Sequence, residues 1–379
     1  MRLPLLFRLL AVVITATLLP VGGAAASPSR SLSAGPSQDE PSRLRVATAN
    51  LREGSLRTPR ADRRDRTDVR RASRRLLARP GPVPDVVLLQ EVLGSAGAVA
   101  RALNRHPRAD RTGARYRVAT TTRKATVRGE CDGRRGGSFL LLRSSAVLVN
   151  TRTVEDVHAQ GFVRTWGRWH RSAWQHTGRR GHGCAVHPWV RLTVRQPGRA
   201  PWQVIAASAH TAPNGAASKT RAVRVVQRAL GHVRGRHPGA GVVLAGDLNL
   251  NRCRQPLSAP EPRSCHVRTA HRRLLDAGYR DAVRALHPDG PTGVVGVARR
   301  VDFVYTVAPP RSARFDRCYR AWLVTRWRCS AARTVFATAA GFNRCQVRSL
   351  NHGRPGDGCP PARFRRYYSD HPVIVATVG

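Results

Sequence analysis

Residues 242–250 read VVLAGDLNL: small and aliphatic residues, a glycine, then Asp247 and Asn249 on either side of a leucine. In an extended strand, residues two apart share a face. Asp247 and Asn249 are therefore expected to present together while Leu248 turns back to the core. A strand apolar enough to be buried thus ends by offering a carboxylate and a carboxamide to one place. A lone pair of this kind reads as turn or cap chemistry, because Asp and Asn readily bond to nearby backbone. The case for more rests on how often the chain repeats it.

It repeats it throughout. LRVATANL (44–51) closes on Asn50, DVVLLQEV (85–92) on Glu91 and WQVIAASAHT (202–211) on His210. RVDFVYTV (300–307) carries Asp302, and Asp370 and His371 stand at the entrance to HPVIVATV (371–378). Between the apolar segments that end in His210 and Asp247 lies KTRAVRVVQRALGHVRGR, whose apolar spacing near 3.6 predicts a helix. PRADRRDRTDVRRASRRLLARPG (59–81) reads as an exposed helix entered through Pro59 and stopped at Pro80-Gly81. Strands this uniformly apolar are buried on both faces, which calls for layers on both sides of a sheet.

If such strands share a sheet, their polar ends converge on one rim and build an anionic pocket. That pocket is costly unless a cation fills it. Oxygen donors dominate the set, which points to a hard cation, Mg²⁺ or Mn²⁺ with Ca²⁺ as a third candidate, and away from zinc. A carboxylate-held cation beside two histidines suits hydrolysis of a phosphate ester.

The 379 residues carry a formal charge of +44, and all 66 basic residues except Lys124 and Lys219 are arginine. A polyanion such as nucleic acid is the expected partner, with binding that weakens steeply in salt. Codon bias towards arginine accounts for the same composition. Residues 1–26, MRLPLLFRLLAVVITATLLPVGGAAA, have the basic, apolar and small-residue regions of a secretory signal peptide, and residues 27–43 read as a flexible leader. Export to an oxidising compartment makes the eight cysteines disulfide candidates. Short loops suggest Cys253–Cys265, Cys318–Cys329 and Cys345–Cys359, leaving Cys131 with Cys184. Residues 308–366 read as a basic, disulfide-tied excursion before the last strand.

The motifs ATANL, LLQEV, SAHT, AGDLN, RVDFVY and YSDHPV, in this order over residues 44–379, resemble the endonuclease/exonuclease/phosphatase superfamily, the fold of deoxyribonuclease I. The resemblance implies a four-layered α/β sandwich, two packed and mainly antiparallel sheets flanked by helices. It places Asn50, Glu91 and Asp370 on the metal side. Asp247 and Asn249 would orient the attacking water and the scissile phosphate, and His210 would be the first catalytic histidine. His371 would be a general base hydrogen-bonded to Asp302. Tyr116 and Arg143 are candidates for the family's substrate-facing residues, each balanced against an ordinary strand or surface role.

GFVRTWGRWHRSAWQH (161–176) interleaves Trp166 and Trp169 with arginines. That pattern suits base stacking along a held backbone or contact with a lipid interface. Tryptophans packed under a long loop would look the same. Three functions stay open: an extracellular nuclease with DNA, and RNA beside it, as candidate substrates, a sphingomyelinase-like phospholipid phosphodiesterase or phosphatase, and a non-catalytic polyanion-binding protein. No obligate protein partner is evident, and a monomer is expected.

Overall fold

The computed structural model describes residues 42–51, 73–74, 76–77, 82–92, 96–122, 145–169, 181–211, 216–250, 268–286, 302–315 and 373–379. In chain order these form β1 (Leu44–Asn50), β2 (Val86–Gln90), α1 (Ala96–Asn104), α2 (Pro107–Thr112), β3 (Tyr116–Thr121), β4 (Ala146–Asn150) and β5 (Val154–Trp169). There follow β6 (Gly181–Val194), β7 (Trp202–His210), α3 (Ala216–Gly235), β8 (Gly241–Asp247), α4 (Arg268–Asp276), β9 (Arg280–Asp281), α5 (Ala282–Leu286), β10 (Asp302–Thr306), β11 (Pro310–Phe315) and β12 (Ile374–Val378). Among the described residues no helix is long and apolar enough to cross a membrane.

The strands build two six-stranded sheets, ordered β11-β12-β1-β2-β4-β3 and β5-β6-β7-β8-β10-β9. Each has one parallel pair, β1 with β2 and β7 with β8, among antiparallel neighbours. Alternation along the strands then sorts the apolar side chains into three cores. Val46, Val86, Leu88 and Val147 of the first sheet pack against Val190, Val204, Val243 and Val304 of the second. The opposite face of the first sheet, with Ala47, Val87 and Leu148, takes Val99 and Leu103 of α1 and Ala109 of α2. The opposite face of the second, with Ile205, Ala207 and Leu244, takes Val223, Val226, Leu230 and Val233 of α3 and Leu274 of α4. The expected sandwich of helices, sheet, sheet and helices is therefore what forms.

Local chemistry fixes the helices. In α3 the buried residues recur at three- and four-residue steps, so one stripe faces the sheet. α2 has proline in its first turn, the His106 ring accepting the Arg108 N–H at 3.2 Å, and Gly113 closing it at φ 64°.

Three expectations change. The excursion assigned to 308–366 begins later, because Pro310–Phe315 form β11 and pair with β12. Proline at the start of this edge strand removes a donor the sheet does not need. The first nine residues of the Trp-rich segment are strand rather than loop, Gly161–Trp169 being the outer half of β5. The leader ends two residues early, since Ser42 N–H donates to Ala200 O and Ser42 Oγ accepts the Gln196 N–H. Of the helix assigned to 59–81, only residues 73, 74, 76 and 77 are described; they are helical, and Leu76 and Leu77 are buried. Residues 1–41 and the proposed disulfides lie outside the described residues, apart from the backbone of Cys184 in β6.

Register decides what sits where. The two parallel pairs end side by side, Asn50 opposite Gln90 and His210 opposite Asp247, and Asp302 pairs with Asp247 from the other side. The two sheets therefore bring their polar strand ends to one rim.

Candidate active site

At that rim Asn50 is fully buried, and its Nδ2 donates to Glu91 Oε1 at 3.2 Å and to Asp247 Oδ2 at 3.1 Å. His210 Nε2 faces the same two oxygens, 3.6 Å from Glu91 Oε1 and 3.4 Å from Asp247 Oδ2. One ligand atom from each of Glu91, His210 and Asp247 falls within 4.8 Å of the others. His210 and Asp247 are almost wholly buried, whereas the Glu91 side chain keeps 16% of its surface, so the cluster opens on the glutamate side. Two carboxylates this close repel each other. The Asn50 amide and the imidazole offset part of that repulsion, and a cation would offset more.

The backbone is bent to deliver these groups. Glu91 (φ 54°) and Asn249 (φ 50°) adopt the left-handed conformation that residues with a side chain rarely take. Gly246 has φ 143°, and a Cβ there would stand 2.0 Å from Ala209 O and 2.9 Å from Gln90 Nε2. Only glycine lets β8 approach β7 this closely, which explains the glycine in AGDLN. Asp247 is the last strand residue, so simple alternation does not reach Asn249. A turn does the work instead, with Asp247 Oδ1 accepting the Asn249 N–H at 3.1 Å while Leu248 is buried as expected. Asn249 Nδ2 then donates to Thr211 O at 2.9 Å, and the Thr211 hydroxyl donates to Leu248 O, which ties the ends of β7 and β8 together.

Three supporting residues were not singled out from the sequence. Buried Gln90 exchanges hydrogen bonds with Thr48 at 3.1 and 3.3 Å and donates to Ser208 Oγ at 2.9 Å, joining β1, β2 and β7 beneath the cluster. Lys219 Nζ, buried in the first turns of α3, donates to Asn249 O at 2.6 Å. Its signal was its rarity, one of two lysines among 64 arginines. His187 is fully buried, and its Nδ1 accepts the backbone N–H of His210 at 3.2 Å while Nε2 lies 2.8 Å from Thr165 Oγ1. Burial pulls its pKa down to about 4, so the ring is neutral, with Nδ1 as acceptor and Nε2–H as donor. Its signal was a polar residue before proline in the otherwise apolar CAVHPWV.

The structure thus brings together Asn50, Glu91, His210 and Asp247, with Asn249 on the adjoining turn. Asp302 is buried next to Asp247 on the same strand-pair level. Tyr116 is elsewhere: it opens β3 opposite Asn150, at the far end of the first sheet, and its hydroxyl donates to Pro84 O at 2.8 Å. It is a core residue, because a buried phenol needs such a partner, and it takes no part in the cluster. Trp166 and Trp169 lie in β5 at positions paired with Cys184 and Gly181. Arg143, Asp370 and His371 lie outside the described residues.

The donor set fits a hard divalent ion. Carboxylate oxygens from Glu91 and Asp247 would hold it, and it would there supply positive charge to a phosphate ester.

No curated protein sequence matches the chain. Among solved structures, an endonuclease/exonuclease/phosphatase family protein from Bacteroides thetaiotaomicron shares 16% identity over 90% of this chain and 96% of its own, with a TM-score of 0.47. TDP2 of D. rerio, complexed with single strand DNA product, shares 16% over 89% and 99%, with a TM-score of 0.44. The human Nocturnin catalytic domain, with bound sulfate, shares 12% over 88% and 93%, with a TM-score of 0.45. The sequence profile of the Endonuclease/Exonuclease/phosphatase family matches residues 47–371, which span every motif that meets at the rim, and the chain belongs to that family of divalent-metal-dependent phosphoric ester hydrolases.

Proposed function

We propose that the protein is an exported nuclease that hydrolyses phosphodiester bonds of DNA, and of RNA in the same site, with Mg²⁺ or Mn²⁺. One observation carries this reading: two carboxylates, a carboxamide and an imidazole converge at a single rim inside a chain whose formal charge is +44. A cationic body gathers phosphate polymers, and an anionic hollow within it suits a metal-assisted reaction rather than storage of an anion.

When bound, the metal supplies positive charge to the phosphate oxygens as the transition state forms. The chain's own groups do the rest. Asn50 holds Glu91 and Asp247 at a fixed separation. His210 presents Nε2 to the reacting centre and delivers a proton to the leaving oxygen. His371, oriented by Asp302 and flanked by Asp370, removes a proton from water, and the hydroxide attacks phosphorus in line. In support of that last role, Ile374 of β12 stands opposite Thr48, two residues from Asn50, so β12 starts at the rim end of β1.

The test is incubation of the purified protein with plasmid DNA, RNA and sphingomyelin vesicles, in Mg²⁺ and then in EDTA. Metal-dependent cleavage of nucleic acid alone is the expected outcome. Cleavage of sphingomyelin alone selects a phospholipid phosphodiesterase, and binding without turnover selects a polyanion-binding protein.

A further inference from the structure

A polar layer interrupts the core between the sheets just beneath the rim. By alternation, Leu44, Val46, Thr48 and Asn50 of β1 face the second sheet, as do Val86, Leu88 and Gln90 of β2. Val204, Ala206, Ser208 and His210 of β7 face back. The early members of each series lie in the apolar inter-sheet core, and Asn50 and His210 belong to the cluster. Between core and cluster stand Thr48, Gln90 and Ser208, all three fully buried.

Their protons can be assigned without conflict. The Thr48 hydroxyl donates to Gln90 Oε1 at 3.3 Å. Gln90 Nε2 donates one proton to Ser208 Oγ at 2.9 Å and the other to Leu88 O at 3.2 Å, and Ser208 Oγ donates to Leu89 O at 2.8 Å. Every polar atom of the three side chains is used, so the layer is buried at little net cost. Two of these bonds, Gln90 to Ser208 and Ser208 to Leu89, cross from one sheet to the other. Apolar packing between sheets is non-directional, whereas a donor and acceptor hold a set distance and angle.

The amide also has a particular place relative to the carboxylates. Gln90 immediately precedes Glu91 in the chain. Its Nε2 lies against Gly246, which immediately precedes Asp247, so close that a Cβ on Gly246 would stand 2.9 Å away. Ser208 is two residues before His210 on the same face of β7. Gln90 is therefore wedged between the sheet that carries Glu91 and the sheet that carries Asp247 and His210, one residue below each carboxylate.

We infer that Gln90 is a positioning residue: bonded to Ser208, it sets the separation of the two sheets at the rim, and with it the gap between Glu91 and Asp247 in which the divalent ion is held. The inference rests on those two carboxylates as ligands, and not on which phosphate ester is cleaved. A fixed gap matters most to a small ion. Mg²⁺ demands near-ideal octahedral geometry at about 2.1 Å, whereas Ca²⁺ accepts longer and more variable distances. Loosening the Gln90–Ser208 clamp therefore costs Mg²⁺ more than Ca²⁺.

Isothermal titration calorimetry with Mg²⁺ and with Ca²⁺, in the absence of substrate, reads the gap apart from turnover. Glu91→Gln removes a ligand, so the binding it abolishes is that of the rim. Gln90→Met keeps the length of the side chain but cannot bond to Ser208. It should raise the Mg²⁺ dissociation constant about 10-fold or more, and that of Ca²⁺ by roughly 3-fold or less. Ser208→Ala should shift the ratio of the two constants in the same direction, and it carries the test alone if Gln90→Met does not fold. The double variant should fall short of the product of the two effects, because both substitutions break one bond. Val204→Ala hollows the same core at the end of β7 away from the rim. It should lower the melting temperature and leave the Mg²⁺ to Ca²⁺ ratio at the wild-type value. Equal weakening of both ions in Gln90→Met and Ser208→Ala, a wild-type ratio in both, or an equal shift of the ratio in Val204→Ala would each overturn the proposal. Mg²⁺ binding that survives Glu91→Gln, or is absent from the wild type, would instead overturn the placement of the ion, and the role of Gln90 with it.

Discussion

β2 carries a carboxylate at each end, Asp85 just before it and Glu91 just after it, and the two ends of this one strand behave oppositely. Around Asp85 the hydrogen bonds that form close on nearby backbone, while Asp85 Oδ1 and Asn150 Nδ2 are buried without a hydrogen-bond partner. Asp85 Oδ2 accepts the Arg45 N–H at 2.7 Å, and Asn150 Oδ1 accepts the N–H groups of Arg115 and Arg152. Asn104 brackets Tyr116 N–H and C=O, and the Tyr116 hydroxyl reaches Pro84 O. Around Glu91 the polar groups turn towards one another: Asn50 Nδ2 and His210 Nε2 both face Glu91 Oε1 and Asp247 Oδ2. Polar residues at strand ends are thus no mark of function by themselves. Convergence of like charges on a shared point is, because the repulsion between two close carboxylates is relieved by a cation, whereas the cost at Asp85 is the burial of a single charge.

The sharpest way to break the comparison is to neutralise each carboxylate in turn. Glu91→Gln should reduce metal-dependent diester turnover by about 10³-fold or more, since it removes charge where the cation is held. It should leave the melting temperature unchanged or raised, because a crowded negative charge is gone. Asp85→Asn should leave turnover per folded molecule at the wild-type value. Initial rates across a Mn²⁺ titration check both, and comparable losses in the two variants would erase the distinction between the ends.

Next in size is the glycine that lets the rim close. Gly246→Ala forces a Cβ against Ala209 O in a backbone conformation alanine avoids. A destabilisation of about 3 kcal/mol or more is expected, read as a fall in the midpoint of urea unfolding.

The far end should show its character through pH. Burial raises the Asp85 pKa from 3.8 to about 6, against the opposing effect of its hydrogen bonds. Between these values the folded protein holds a proton that the unfolded chain has released, so this residue's contribution to stability falls as pH rises from 4 to 6. Asp85→Asn abolishes that loss. The variant should match the wild type near pH 4 and exceed it by about 3 kcal/mol at pH 7 and above. Urea midpoints at the two pH values measure it, and a gap independent of pH would refute the assignment.

Much of this was legible in the chain. The apolar runs, their polar termini and the helix before β8 follow from periodicity and composition, and they identified Asn50, Glu91, His210 and Asp247 without coordinates. What was not legible depends on three-dimensional approach. Tyr116 and Glu91 both stand at strand ends, and only register tells that one faces Pro84 and the other His210. The left-handed turns at Glu91 and Asn249 are imposed by tertiary packing, since neither residue favours them. The long β5–β6 ribbon was hidden because tryptophans and arginines interrupt the alternation of apolar residues that marks a half-buried strand. Polar supports such as Gln90 and His187 sit inside apolar runs, where a single hydrophilic residue looks like noise until its partners are known.

The smallest effect concerns how the rim's histidine is held. β6 stops pairing with β7 just where Pro188 lacks an N–H, and the His187 ring takes over by accepting the His210 N–H. If this bond positions the catalytic imidazole, an acceptor at that place is what matters, and basicity is not. His187→Leu should lower kcat about 10-fold, which is about 1.4 kcal/mol of transition-state stabilisation, with KM nearly unchanged. His187→Asn, which restores an acceptor oxygen, should recover most of the loss although its side chain cannot ionise. The pH profile of kcat should keep its wild-type shape in both, because the native ring, with its pKa held near 4 by burial, stays neutral over the working range. A purely structural role would lower the melting temperature of both variants alike and leave the kcat of the folded fraction intact. That outcome would reduce His187 to one more closed contact of the kind that surrounds Asp85.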